Sequence, residues 1–255
     1  MNPAHQQCPY SVRFDWGITG ASAIALDADV SVVVDVLSFT TTLSVAVEQG
    51  IEVFPYRWKD NGAQQYAADR HAVLAVGRSD MRGAAVSLSP ATIRSASGLE
   101  RLVLPSPNGS SIAHALAASS RVCVGASLRN ASAVAAWIHN NYREGAVVSV
   151  IAAGERWPDG SLRPAVEDLW GAGAVLAELL ERRPHQAASP EAEAAAASWH
   201  SIRNRLGAAL EHCASGQELI AAGYPTDVAI ATEVDTSRSV PVLENDRFVN
   251  REHVL

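Results

Sequence analysis

The feature that most constrains this chain is an alternation. Short β-branched apolar runs trade places with longer, Ala-rich segments of helical period. "DVSVVVDVL" (29–37) reads as a strand covered on both faces, because Val32, Val33, Val34 and Val36 leave no side for water. "TTTLSVAVEQG" (40–50) follows as a helix stopped at Gly50. The pairing recurs as strand 101–106 with helix 109–119, strand 121–126 with helix 129–142, and strand 145–154 with helix 165–183. Runs at 51–56 and 71–77 add strands around a helix at 63–70, and "RFDWG" (13–17) reads as an edge element. This order predicts a layered α/β domain on a largely parallel sheet.

Past Pro184 the pattern changes. "SPEAEAAAASWHSIRNRLGAALEHC" (189–213) reads as one outer helix, with Ser189 as N-cap, Pro190 in the first position and Glu191 and Glu193 in the first turn. A short helix at 215–223 follows. "DVAIATEV" (227–234) comes next, and "VPVLENDRFV" (240–249) reads as a hairpin turning at "ENDR".

Charge and cysteine content exclude several classes. The net charge is −7, Lys59 is the sole lysine, and no basic block exists to grip nucleic acid or an anionic membrane. No apolar run approaches the ~20 residues of a membrane span, and the first residues have no charged-then-apolar leader. Cys8, Cys123 and Cys213 have neither metal-site nor disulfide spacing, which suits a reducing cytoplasm. The expected partner is a small molecule, with no nucleic acid and no membrane. The apolar helix around 171–180 leaves room for a homodimer.

Ligands of open α/β sheets bind beyond the carboxyl ends of strands, so the chemistry is sought at the strand-to-helix junctions. Asp35 ends the first strand, and Ser38, Thr40 and Thr41 open the next helix, whose unpaired N–H groups suit an anion. "LPSPNGSS" (104–111) offers Asn108, Gly109 and Ser110 in the same way. "VGASLRNAS" (124–132) offers Ser127, Arg129 and Asn130, with Arg129 able to hold phosphate bidentately. "AAGERWPDGSLRPAVEDLWGAG" (152–173) places Glu155 and Arg156 after a strand, and Glu167 and Asp168 at a helix start. Carboxylates beside phosphate sites call for a cation. The reading is therefore a Mg²⁺-assisted phosphoester site, with metal at Asp35 and an acid of the 155–168 segment.

These four segments, with the tail "SGQELIAAGYPTDVAIATEVDTSRSVPVL" (215–243), resemble the 2-phosphosulfolactate phosphatase family from about Phe14 to Phe248. The resemblance implies a layered α/β/α fold and a Mg²⁺-dependent phosphatase. Its family substrate, 2-phosphosulfolactate, is hydrolysed to sulfolactate and phosphate in coenzyme M biosynthesis. Asp35, Asn108, Asn130 and Glu167 or Asp168 match polar positions of the family segments. Two departures stand out. Ser38 falls where many members have Arg, and "GAAVSLSP" (83–90) replaces a family segment, so the substrate's identity is left open.

The expectation is thus a three-layer α/β/α protein with a largely parallel or mixed central sheet. Residues 1–255 form one phosphatase-like domain, with a C-terminal subregion from about 185. Catalytic roles fall to Asp35, Glu167, Asp168 and Arg129. Substrate ligands are Ser38, Thr40, Thr41, Asn108, Gly109, Ser110, Ser127, Asn130 and Arg156. Mg²⁺ ligands are Asp35, Glu155 and Asp168. Two rivals remain. Cys123 and Arg129 have the Cys-x5-Arg spacing of a thiolate phosphatase, and the chain could be a non-catalytic anion-binding scaffold. Leu37 stands where an aspartyl-phosphate enzyme of the haloacid-dehalogenase type needs a second Asp.

Overall fold

Val30–Val34 forms a strand with all five residues buried, as its unbroken apolar character requires. The computed structural model describes residues 2–57, 62–81 and 85–252. Trp58, Lys59 and the first two residues of the 83–90 segment lie outside them. In chain order the first half contains β1 (Val12–Trp16), α1 (Gly17–Ile24), β2 (Val30–Val34), α2 (Phe39–Glu48), β3 (Glu52–Tyr56), α3 (Gly62–Asp69), β4 (Val73–Leu74), α4 (Pro90–Ser95), β5 (Arg101–Pro105) and α5 (Gly109–Ser119). β6 (Val122–Ala126), α6 (Ala131–Asn141), β7 (Val148–Ala152), β8 (Glu155–Arg156), β9 (Leu162–Arg163) and α7 (Val166–Arg182) follow. The C-terminal part adds α8 (Pro190–Ile202), α9 (Leu206–His212), α10 (Ala214–Ala221), α11 (Pro225–Ala231), β10 (Pro241–Glu244) and β11 (Arg247–Asn250).

Nine strands make one mixed sheet in the order β1-β7-β2-β6-β10-β11-β3-β5-β4. β1, β7, β2 and β6 are mutually parallel, as are β3, β5 and β4. The two groups are joined through the middle by the C-terminal hairpin. β10 runs antiparallel to β6 through Val242 and Val124, and β11 runs antiparallel to β3 through Phe248 and Val53. β1 lies at the sheet's edge, as the 13–17 pattern predicts, while β8 and β9 pair separately.

Side-chain alternation divides the core into layers. Val30, Val32 and Val34 face α6, α7 and α8, where Ile138, Val175, Leu179 and Trp199 pack. Val33 and Ile151 face the other way, onto Ile24 of α1, Leu43 of α2 and Ile112 of α5. Val53, Leu102 and Leu104 of the second strand group reach that same cluster, whereas Phe54 and Val103 turn outward onto Ala67 of α3. Helices therefore cover both faces. Each Val or Leu so enclosed contributes about 1.5–3 kcal/mol relative to exposure.

Two element expectations are corrected. The strand at 71–77 shrinks to the two residues of β4. The helix at 189–213 begins as predicted, with Ser189 Oγ accepting the Ala192 N–H at 3.1 Å, but breaks at a 3-10 turn, Arg203–Arg205. The break lets Leu206 and Leu210 join the core that Trp199 and Ile202 already enter. The segment 227–234 is largely helical, as α11. No helix among the described residues is long and apolar enough to cross a membrane.

Candidate active site

A buried strand ends on Asp35 because the hydroxyls behind it close the turn. Thr40 Oγ1 accepts the Asp35 N–H at 3.0 Å and donates to the Asp35 carbonyl at 2.8 Å. Thr41 Oγ1 donates to the Val36 carbonyl at 2.7 Å, and Thr42 Oγ1 to that of Leu88 at 3.0 Å. These bonds satisfy backbone groups that a sharp strand-to-helix turn would otherwise leave unpaired. Thr40 and Thr41 are thus committed to the turn, and their expected role as substrate ligands is corrected.

The Asp35 carboxylate is gripped by two helix starts. Its Oδ1 accepts the Phe39 N–H of α2 at 3.2 Å, and its Oδ2 accepts the Gly109 N–H of α5 at 3.0 Å. The N-terminal N–H groups expected to hold a substrate anion hold the protein's own carboxylate instead. Gly109 is required for this approach, since a Cβ there would lie 2.3 Å from Phe39 Cδ1 and 2.7 Å from Asp35 Oδ2. Ser110 is also withdrawn from the substrate, its Oγ donating to the Leu104 carbonyl at 3.2 Å.

Asp168, at the start of α7, ties two strand ends together. One oxygen accepts the Val36 N–H at 2.7 Å and the other the Gly154 N–H at 2.8 Å. It lies behind Asp35, outside the cavity walls, so its expected place as a metal ligand is corrected to that of a clamp. Glu167 is buried beside it, next to the Cys213 thiol. Glu155, on β8, does reach the cavity, where its Oε2 accepts from Asn108 Nδ2 at 2.9 Å. Arg156 Nε donates to Asn108 Oδ1 at 3.3 Å.

Asp35, Ser38, Ser106, Asn108 and Glu155 line a cavity of about 170 Å³. A second lobe of about 240 Å³ shares Asn108 and Glu155 with it and adds Trp16, Thr19, Ser111 and Arg156. Burial pushes the Asp35 carboxyl up to about 6, with the nearby Glu167 charge adding to the rise and the two backbone donors opposing it. Burial, then the Asp35 and Glu167 charges, push Glu155 up to about 7, against Arg163 and Asn108. Asp168 is raised well above the usual carboxylate range by burial and by Asp35 and Glu167. These acids repel one another in a dry setting, an arrangement characteristic of functional sites.

The third junction does not join them. Arg129 is buried, with Nη2 on Glu48 at 3.0 Å, Nε on Glu233 at 3.1 Å and Nη1 on Ser44 Oγ at 3.1 Å. Its awkward place at a helix start is resolved by two protein carboxylates, not by a ligand. Ser127 and Asn130 form a reciprocal cap, and Asn130 Nδ2 donates to the Ser239 carbonyl at 3.0 Å. The expected roles of Arg129, Ser127 and Asn130 are therefore corrected to structural ones. Cys123 sits inside β6, where burial pushes its thiol up to about 12. A buried thiol held neutral, with Arg129 engaged by Glu48, Glu233 and Ser44, does not favour the thiolate reading.

Sequence reasoning missed Arg78. It follows the 71–77 run directly, a strand-end signal like the four that were read. Its guanidinium donates to Ser38 Oγ and lines the Asp35 cavity. No group of three or more His, Cys, Asp or Glu side chains among the described residues is arranged to hold a metal ion. The two carboxylates that share the cavity, Asp35 and Glu155, nonetheless suit Mg²⁺, which takes one or two carboxylates and completes its shell with water and phosphate oxygens.

Acids gathered at strand ends beside a small polar cavity define an α/β enzyme of the type used for phosphoryl chemistry. A sequence model of the family described as 2-phosphosulpholactate phosphatase matches residues 21–246, and the chain belongs to that family. It is 32% identical over 218 residues to a Thermus thermophilus protein named "Probable 2-phosphosulfolactate phosphatase", covering 84% of this chain and 88% of that one. Proteins of the same name from Deinococcus radiodurans (28% over 219 residues; 84% and 88% covered) and Thermotoga maritima (25% over 228; 87% and 92%) are also similar.

Proposed function

We propose that this protein hydrolyses a small acidic phosphate monoester, 2-phosphosulfolactate, to sulfolactate and inorganic phosphate, with Mg²⁺ bound, as a cytoplasmic step toward coenzyme M. The observation that carries this reading is the meeting of Asp35, Asn108 and Glu155 at one cavity in a chain that matches the family over residues 21–246. Asp35 would hold the ion, which supplies Lewis-acid neutralisation of phosphoryl oxygens. Two backbone donors fix the carboxylate's orientation, so little rearrangement is needed when substrate arrives. Glu155, raised to about 7, suits a base that takes a proton from attacking water near neutral pH. Asn108 aims it and links it to Arg156, whose guanidinium lines the second lobe where the substrate's other acid fits. Free thiols at Cys8, Cys123 and Cys213 agree with a reducing compartment.

The test is phosphate release from a panel of sulfonated and carboxylated phosphoesters, with Mg²⁺ and with chelator. Fastest release from the sulfonated ester, abolished by chelator and restored by Mg²⁺, is the expected result. No release from any ester would replace the enzyme with an anion-binding scaffold, and release indifferent to chelator would remove the ion.

A further inference from the structure

Four carboxylates crowd the floor of this site, yet its substrate is itself an anion. Asp35 and Glu155 line the cavity, and Glu167 and Asp168 lie behind them. Among the residues lining the Asp35 cavity, Arg78 is the one cation. Its place is set from outside the site. Nε donates to Asp227 Oδ2 at 2.7 Å, and Nη2 donates to Ser38 Oγ. Asp227, in the first turn of α11, is 1% exposed, and its second oxygen accepts from Ser89 Oγ, the residue capping α4. Nη1 has no acceptor among the described residues. Burying an acid with an arginine stabilises a fold little, because desolvation offsets the attraction. A fully buried Asp227 with both oxygens engaged is better explained by what it holds: a planar fork, fixed in direction, at an acidic cavity.

We propose that Arg78 is the ligand for the substrate's phosphate in this cavity, and that Asp227, steadied by Ser89, is its positioning residue. This rests on the phosphatase reading for the identity of the anion. Ser38 Oγ then serves as a placeholder acceptor that keeps Nη2 in line between turnovers. Arg78 also draws the Asp35 proton affinity down through its charge, so the same residue serves the anion and the carboxylate it must approach.

The experiment compares wild type with Arg78→Ala, Arg78→Lys and Asp227→Asn in Mg²⁺ buffer. It measures kcat and KM on the best phosphoester, and the dissociation constant of inorganic phosphate by calorimetry. Loss of charge-assisted bonds predicts that Arg78→Ala weakens phosphate binding and raises KM by about ten- to a hundredfold. Millimolar guanidinium is expected to restore part of that loss, which a merely structural role would not allow. Asp227→Asn is expected to raise KM about three- to tenfold while kcat moves less than KM, without guanidinium rescue. Should Arg78→Ala fail to fold, Arg78→Lys takes its place, with an expected weakening of at least fivefold because the fork is lost. Phosphate affinity within twofold of wild type in the folded Arg78 variant, or no phosphate binding by wild type, overturns the assignment. A wild type that cleaves no ester but binds phosphate through Arg78 would remove the phosphatase reading and leave Arg78 in place. An active phosphatase indifferent to Arg78 would do the reverse.

Discussion

Gly109→Ala adds one methyl group at the point where two helix starts meet the Asp35 carboxylate. Helix propensity alone favours Ala over Gly by about 1 kcal/mol. The surroundings oppose it. The new Cβ would stand 2.3 Å from Phe39 Cδ1 and 2.7 Å from Asp35 Oδ2, so one wall or the other must shift by about an ångström to reach ordinary contact. Phe39 donates its N–H to the same carboxylate, so moving Phe39 or Asp35 disturbs both backbone bonds. Overpacking of this kind costs about 1–3 kcal/mol. After the propensity gain, the expected net loss is at most about 2 kcal/mol, or a melting temperature lower by up to roughly 8 °C in a chain of this size. Misplacing a reacting group by about 1 Å costs on the order of a hundredfold in rate. Gly207, in α9, provides the control. Nothing lies within 4 Å of a Cβ built there, so Gly207→Ala should be neutral or gain about 0.4–1 kcal/mol with activity unchanged. Thermal unfolding and kcat/KM for phosphate release, run side by side, decide the matter. If the two variants behave alike, the close approach at Gly109 does not govern the site.

Other expectations follow from the same geometry. Glu155→Gln keeps the Asn108 bond but removes a charge whose carboxyl is raised from 4.5 to about 7. A raised acid contributes stability that is complete below about pH 4.5 and is lost as pH rises through 7. The rise from 4.5 to about 7 bounds this at about 3 kcal/mol, or about 1–2 kcal/mol after discounting for partial exposure. In chelator, the Gln variant should match wild type near pH 4.5 and melt higher at pH 8.5, while releasing phosphate at least about tenfold more slowly. A lower melting point than wild type at pH 8.5 would refute the repulsion among these acids. Asp35→Asn should lose about a hundredfold or more in turnover. Its melting temperature should stay within a few degrees, because relief of a buried charge offsets one mismatched backbone donor. Near-normal turnover would remove Asp35 from the chemistry. Cys123→Ser should leave kcat within about twofold, at a stability cost of about 1–3 kcal/mol for a buried hydroxyl. A folded but inactive Cys123→Ser would restore the thiolate mechanism.

What the sequence alone determined is local in origin. The apolar run ending at Asp35, the Ser189–Pro190 helix start and the turn in "VPVLENDRFV" each follow from period, capping or turn chemistry within a few residues. The strand-end positions of Asp35, Asn108 and Glu155 were legible for the same reason, since ligands of such sheets gather at strand ends. Only the tertiary structure decided which polar groups find protein partners first. Arg129 and Arg78 both follow strand ends, yet Arg129 meets Glu48 and Glu233 far along the chain, while Arg78 meets Asp227 and is held at the cavity. Asp35 likewise claims two helix-start N–H groups, of Phe39 and Gly109, that a local reading assigned to substrate. Backbone donors at helix starts look alike in sequence. The acceptor at Gly109 comes from Asp35, 74 residues away, and that at Val36 from Asp168, 132 residues away; such choices are made by packing, which no local pattern records.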